Sequence, residues 1–215
     1  MRLILLGPPG AGKGTHAADL SKMFHASHIS TGEILRDAVK RGTPTGLKAK
    51  AFMDKGELVP DAVVVGIVVD RLKAADCQEG FILDGFPRNL AQARDLDASL
   101  SSSGSKIDRV LYFKTDAKVI LKRLTGRRVC KNCNAVYNVF TMPSKKEGLC
   151  DLCGGPLMQR QDDKEKTILN RLAVFERETQ DLIAYYRDQG ILKTVDGDLE
   201  RKEGFAQIVR VLKGG

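Results

Sequence analysis

Leu3-Ile4-Leu5-Leu6 running into Gly7-Pro8-Pro9-Gly10-Ala11-Gly12-Lys13-Gly14-Thr15 decides the fold. A short apolar run, a glycine-rich turn and then a helical pattern read as strand, loop and helix in succession. Such a loop brings backbone N–H groups close to a polyphosphate, the helix N-terminus adds partial positive charge, and Lys13 supplies a full one. A turn whose glycines merely ease close packing would need neither the strand before it nor a lysine at this spacing. A nucleoside triphosphate is therefore the expected ligand. The usual loop of this kind has Ser or Thr directly after its lysine to help hold magnesium. Here Gly14 stands in that place and Thr15 follows, so magnesium must lean on other groups.

The chain has 215 residues, 42% hydrophobic and 29% charged, which suits one sizeable core in an α/β domain with an insertion or two. No apolar run approaches the roughly 18 residues a membrane span needs, and no membrane partner is expected. The opening apolar run stops at Gly7, too soon for an export signal, which makes the cytoplasm the expected compartment. Lys and Arg number 35 against 27 Asp and Glu, a formal charge of +8 that suits an anionic partner: nucleotide, nucleic acid or acidic lipid. The basic residues are dispersed, with no dense block interleaved with aromatics, which argues against nucleic acid.

Apolar runs at Leu3 to Leu6, Gly80 to Leu83, Val110 to Phe113 and Ile191 to Val195 alternate with helical patterns, so a parallel sheet with helices on both faces is expected. Ser30-Thr31 reads as a helix start, Gly42-Thr43-Pro44 as its break, Thr45 to Lys55 as a second helix, and Pro60-Asp61 as the start of the next. Residues 30–59 are thus a helical excursion. Ser99 to Ser105 reads as a polar turn. The expected organisation is a core built from 1–29, 60–126 and 164–215, a helical insertion at 30–59, and a separately built β lid at 127–163, rich in Gly, Asn, Pro and Cys.

Within that lid stand Cys130-x-x-Cys133 and Cys150-x-x-Cys153. Two such knuckles form a tetrahedral thiolate cage for zinc, and because all four ligands are cysteines no coordination site is left open, so the metal is structural. Two disulfides or four independent thiols are the alternatives, and a reducing compartment disfavours the first. Iron could occupy the same thiolates. Cys77 has no partner at such spacing and reads as an ordinary buried thiol, while Tyr137 and Phe140 read as packing residues of the lid.

Phosphoryl transfer needs magnesium, cations on the migrating charge and an acceptor held in line. Asp84 ends the run Gly80-Phe81-Ile82-Leu83-Asp84 and is placed either to hold magnesium, directly or through water, or simply to cap a strand. Arg36, Arg88, Arg123, Arg127, Arg160 and Arg171 are the candidate cations, each of which taken singly could be a surface charge.

Thr31-Gly32-Glu33-Ile34-Leu35-Arg36, Leu83-Asp84-Gly85-Phe86-Pro87-Arg88, Gly126-Arg127-Arg128 and Arg160-Gln161-Asp162-Asp163, in this order and with the glycine-rich loop, resemble the motifs of adenylate kinases along essentially the whole chain. The resemblance implies the magnesium-dependent reaction ATP + AMP to two ADP, with ATP, AMP and ADP as partners of a monomeric chain, and a P-loop NTPase-type sheet carrying an AMP-binding insertion and a lid. It places Gly10, Ala11, Gly12, Lys13, Gly14 and Thr15 on the ATP phosphates. It sets Arg127, Val136 and Tyr137 over the base and ribose, and the backbone of Leu199 against adenine. Thr31, Arg36, Glu57, Leu58, Val59, Gly85, Phe86, Pro87, Arg88 and Gln92 would hold AMP, with Arg36 and Arg88 on its phosphate and Gln92 on its base. Lys13, Asp84, Arg88, Arg123, Arg160 and Arg171 would carry the chemistry, with Arg123, Arg160 and Arg171 around the transferring group; Arg123 also counts to the ATP site, and Arg160 and Arg171 to the AMP site. Asp162 and Asp163 resemble a lid hinge with its ion-pair partners. The chain departs from the pattern at Glu33, where many members carry Asp, and at Asn134, where zinc-bearing members often carry Gly. A GTP:AMP phosphotransferase and a zinc-ribbon nucleic-acid binder with an NTP switch remain as competing readings. The lid length and its cysteines favour the long adenylate kinases over the pyrimidine nucleoside monophosphate kinases.

Overall fold

In the first strand, β1 (Arg2–Leu6), alternate side chains face opposite ways and seed two different cores: Leu3 and Leu5 on one side, Ile4 and Leu6 on the other. The computed structural model describes residues 1–214; Gly215, the end of the expected 164–215 core segment, lies outside the described residues. The chain continues through α1 (Lys13–Phe24), β2 (Ser27–Ser30), α2 (Thr31–Lys40), α3 (Pro44–Lys55), α4 (Asp61–Leu72), β3 (Phe81–Asp84), α5 (Leu90–Ser102), β4 (Arg109–Lys114) and α6 (Ala117–Gly126). Three short strands follow, β5 (Arg127–Cys130), β6 (Val136–Asn138) and β7 (Leu157–Met158), then α7 (Glu165–Asp188), β8 (Leu192–Asp196) and α8 (Arg201–Lys213).

The main sheet has the order β2-β3-β1-β4-β8, with every pairing parallel. Being buried on both faces, its strands need continuous apolar runs, which is why four of them were legible as such. On one face Ile4, Leu83 and Val110 pack with Val68 of α4, Leu96 of α5 and Leu182 and Tyr186 of α7. On the other, Leu3, Ile82, Leu111 and Phe113 meet Ala17 and Leu20 of α1 and Ile208 of α8. Helices therefore cover both faces, as expected. After β1 the chain builds one side of the sheet and then the other, so the loop leaving β1 opens onto the crevice at the carboxyl ends of the strands, where ligands of open α/β sheets bind.

Two local expectations are corrected. β2 was not anticipated: Ser-His-Ile-Ser carries no apolar run, and only Ile29 is buried, because β2 is an edge strand paired on one side with β3. The serine-rich stretch is not a turn from Ser99 onward, since α5 continues to Ser102. Leu100 is buried against the sheet, and packing of that one side chain outweighs the weak helix preference of its serine neighbours.

The three lid strands form a separate antiparallel sheet, β6-β5-β7. Its buried cluster consists of Cys130, Tyr137 and Cys150. Phe140, expected to pack, is 58% exposed, though one edge of its ring lies over Gly126, where an added Cβ would come within 2.5 Å of it.

Candidate functional site

The glycine-rich loop crosses from β1 to α1 under two steric constraints. Gly10 has φ +84, and a Cβ there would meet Leu124 at 2.8 Å, so only glycine fits. At Gly14 a Cβ would stand 3.1 Å from an Asp84 carboxylate oxygen. The space a Ser or Thr side chain would fill after the lysine thus borders the carboxylate at the end of β3, which β1 pairs in register as Leu5 opposite Asp84. This is the physical counterpart of the departure at Gly14. Burial alone would raise the Asp84 pKa, but His28, with Nε2 3.7 Å away, Lys13 and Arg88 overcome it and hold the carboxyl below its ordinary value. A charged carboxylate beside the loop fits a hard divalent cation.

Lys13 lies folded over its own loop, its Nζ donating to the carbonyls of Gly7 at 2.7 Å and Pro8 at 2.8 Å. Enclosure by protein lowers its pKa to about 8. Asp84 opposes that shift, while Arg88, Arg171 and Arg127 add to it. The arginines show the same pattern. Burial and then Arg171 push Arg88 down to about 10, although its side chain keeps an open face to the cleft. Burial and then Arg36 and Arg127 lower Arg160 to about 9. Arg36 and Arg171 shift the same way for the same first reason. These cations repel one another in a confined space with too few anions, and a polyphosphate would relieve that potential.

Besides Asp84, the carboxylates that pair directly with these arginines come from one short segment. Asp163, fully buried, takes a two-point contact from Arg127, with Nε to Oδ2 at 2.8 Å and Nη2 to Oδ1 at 2.5 Å. Arg171 Nη1 reaches Asp163 Oδ1 at 3.3 Å and Asp162 Oδ2 at 3.2 Å. Asp162 is held below its ordinary pKa: burial alone would raise it, but Arg171, Arg127, Arg36 and Arg160 prevail. Arg123 is engaged elsewhere, donating to the carbonyls of Gly197 at 2.5 Å and of Asp198 and Leu199 at 3.1 Å, and so fixes the segment between β8 and α8.

A cavity of about 700 Å³ runs along the loop, lined by every residue from Pro9 to Thr15 and by Asp84, Gly85, Pro87, Arg123, Arg127, Val136, Tyr137, Arg160 and Leu199. A narrower cavity of about 60 Å³ is lined by Thr31, Glu57, Leu58, Val59 and Gln92. Arg36, Arg88, Arg171 and Leu58 line both, so the two form one cleft with cations at its waist. Of the candidate nucleotide-site residues, Phe86 alone lines neither cavity: it is 1% exposed in the core, where it anchors the turn that carries Pro87 and Arg88. Sequence reasoning missed His16 and His28, which line the larger cavity. His16 is 7% exposed, stacks on Phe113 at 5.6 Å, and is lowered in pKa by burial, opposed by Asp19. An isolated histidine, in helix α1 for His16 or in edge strand β2 for His28, carries no pattern that could have marked it.

In the lid the four cysteine sulfurs lie within 4.8 Å of one another, with pairs at 3.4 Å (Cys130 with Cys153, Cys133 with Cys153) and 3.6 Å (Cys133 with Cys150). Disulfide sulfurs would sit at about 2 Å, whereas a tetrahedron of zinc–sulfur bonds near 2.3 Å spaces its sulfurs by roughly 3.8 Å. The two knuckles repeat one backbone pattern: Asn134 N–H donates to the Cys130 carbonyl at 3.1 Å and Gly154 N–H to the Cys150 carbonyl at 2.8 Å. Asn134 takes φ +61, a left-handed conformation that asparagine tolerates, so its departure from Gly costs the turn little. Donor chemistry and spacing both fit a closed metal site.

A family model described as adenylate kinase matches residues 5–191. An adenylate kinase of Citrifermentans bemidjiense is 60% identical over 197 residues, 92% of either chain, and one of Caldicellulosiruptor bescii is 53% identical over 212 residues, 99% of either chain. An adenylate kinase of a Geobacillus species is 48% identical over 214 residues, covering 100% of this chain and 99% of its own. With the phosphate loop, the narrower cavity and the cations between them on one cleft, these likenesses agree along the whole molecule, and the chain belongs to the adenylate kinase family.

Proposed function

We propose that the chain carries out its family's reaction, ATP + AMP to two ADP, by holding the two nucleotides at opposite ends of the one cleft with their phosphates meeting at its waist. The observation that carries this reading is a group of mutually repelling cations, of which Arg36, Arg88 and Arg171 line both cavities and Lys13 and Arg160 line the larger one. ATP phosphates lie on Gly10 to Thr15, with Arg127, Val136 and Tyr137 closing over the nucleoside and the Leu199 backbone, clamped by Arg123, at the base. AMP lies against Thr31, Glu57 to Val59, Gly85 and Gln92, its phosphate between Arg36 and Arg88.

The AMP phosphate oxygen attacks the terminal phosphorus of ATP, the bond to the bridging oxygen breaks, and ADP leaves on each side. No proton needs to move, and no general base is required. Catalysis is positioning plus cationic stabilisation of charge as it passes from donor to acceptor. Lys13 turns from its own loop carbonyls to the phosphates, and Arg88, Arg160 and Arg171 converge on the migrating group. Magnesium, with Asp84 as its carboxylate, would neutralise phosphate charge. Zinc on Cys130, Cys133, Cys150 and Cys153 would fold the lid and take no part in the chemistry. Closure of residues 127–163 keeps water from intercepting the phosphoryl group.

The family assignment favours ATP as donor over the GTP-dependent reading and over a nucleic-acid binder. Among the described residues no helix is long and apolar enough to cross a membrane. The test is a coupled assay with magnesium that scans donors against fixed AMP and acceptors against fixed ATP. Fastest turnover with the ATP and AMP pair is expected; equal rates with GTP would move the donor assignment, and activity without any acceptor monophosphate would overturn the two-site arrangement.

A further inference from the structure

Gln92, 1% exposed at the end of the acceptor pocket, has both ends of its amide committed to neighbours of fixed polarity. Its Oε1 accepts from the backbone N–H of Arg88 at 2.8 Å, and its Nε2 donates to Oδ1 of Asp61 at 2.7 Å. A backbone N–H can only donate and a carboxylate can only accept, so the amide cannot turn over without losing both bonds and setting like against like. Asp61 is held in turn: Asn89 Nδ2 donates to both its oxygens at 3.0 Å, and Asn89 cannot flip because its Oδ1 caps α5 by accepting from the Gln92 N–H at 2.9 Å.

One Nε2 hydrogen and one Oε1 lone pair remain for a ligand. We propose that Asp61 is a positioning residue that sets the acceptor base: by fixing which end of the Gln92 amide donates, it selects a purine with an amino group at position 6 and a bare N1, and rejects one with a carbonyl at position 6 and a hydrogen on N1. Adenine and guanine present opposite polarities at these two places, so a freely turning amide would serve either and a locked one serves only adenine. This rests on Gln92 facing the AMP base as set out above. The Arg88 N–H and the Asp61 carboxylate are two locks, of which only the second can be changed by substitution.

The experiment compares kcat/KM for AMP and GMP at saturating ATP in wild type and Asp61→Asn, with binding of AMP and GMP alone measured by titration. The variant keeps the shape but can donate or accept, so the AMP-to-GMP ratio should fall about tenfold or more, by loss of AMP binding and gain of GMP binding, while KM for ATP stays unchanged. Asp61→Glu, which restores a carboxylate, should recover part of the ratio. Should Asp61→Asn fail to fold, Asn89→Ser keeps an oxygen to cap α5 but removes the donor that holds Asp61, and a smaller shift in the same direction is expected. A ratio within twofold of wild type in a folded variant, or equal losses for AMP and GMP, would overturn the proposal. A wild-type protein with no preference for AMP would instead overturn the placing of the base on Gln92.

Discussion

The main sheet and the lid sheet are held together by different means. The five parallel strands are sandwiched between helices, and Leu3, Ile4, Ile82, Leu83 and Leu111 are wholly buried. Burying a side chain of that kind contributes about 1.5 to 3 kcal/mol, and the core has many. The lid sheet has a buried cluster of Cys130, Tyr137 and Cys150, and Leu152 beside it is 79% exposed. Fixing one residue's backbone costs about 1 to 2 kcal/mol, which so small a cluster cannot offset over the whole lid. If the lid opens and closes in each turnover, as the proposed mechanism requires, it cannot bury a large core against the rest of the molecule. A metal on Cys130, Cys133, Cys150 and Cys153 would order it internally without such a core.

Removing that metal should have the largest effect and should separate the two regions. Metal analysis should find about one zinc per chain. A chelator, or Cys153→Ala, should abolish protection of residues 127–163 from hydrogen exchange while the main sheet keeps its own, because structural zinc is worth on the order of 10 kcal/mol to the unit it folds. Loss of protection in both regions together would show that they are one cooperative unit.

A molecule of two adenosines joined by five phosphates should pull the regions together. Spanning both ends of the cleft without the entropic cost of a second ligand, it should bind ~100-fold or more tighter than ATP and protect the lid from proteolysis. Affinity no better than that of ATP would mean that the two cavities do not serve one reaction.

Lys13→Ala and Arg88→Ala test the core side of the cleft. Each should lower turnover at least ~100-fold, about 3 kcal/mol of lost stabilisation, while the protein stays folded. Near-normal turnover in either variant would remove that residue from the site.

A smaller effect follows from Lys13 titrating at about 8 in the nucleotide-free protein. ATP binding favours the protonated form, so KM for ATP should rise above pH 8, by up to about tenfold per unit. The folded chain binds fewer protons at this group than the unfolded chain between about 8 and the ordinary 10.5. Stability from this group therefore rises with pH across that window, since the burial penalty on the charge is relieved. Denaturant titrations of wild type and Lys13→Met should show that slope in the first and not in the second. The smallest change should come from Asn134→Gly, worth only a few tenths of a kcal/mol in lid stability, because the left-handed turn already exists. A loss above about 2 kcal/mol would show that the Asn134 side chain has another role.

What could be read without coordinates depended on how local the physics is. The phosphate loop, the paired cysteines and the strands Leu3 to Leu6, Gly80 to Leu83 and Val110 to Phe113 each announce themselves within a few residues, since a backbone turn, a chelate ring and a doubly buried strand all impose their requirements on adjacent positions. Asp84 could be named as a candidate but not decided; its place opposite Leu5 and against Gly14 is a matter of strand register. β2 escaped because an edge strand is satisfied by one neighbour and needs no apolar run. Phe86 was assigned to the acceptor site on motif alone, whereas packing puts its ring in the core and leaves Pro87 and Arg88 at the cleft.

Asp61 shows the limit most clearly. In the sequence it opens a helix and nothing more. Only the fold carries α4 beside the start of α5, where Asp61 meets Asn89 and Gln92, 28 and 31 residues further along the chain. The sequence by itself determined the fold class, the phosphate loop and the cluster of four cysteines, because each is built from neighbours along the chain. The tertiary structure decided which carboxylates meet which cations and which way a buried amide points, because hydrogen bonds and charges act across a few ångströms of space whatever the distance along the sequence.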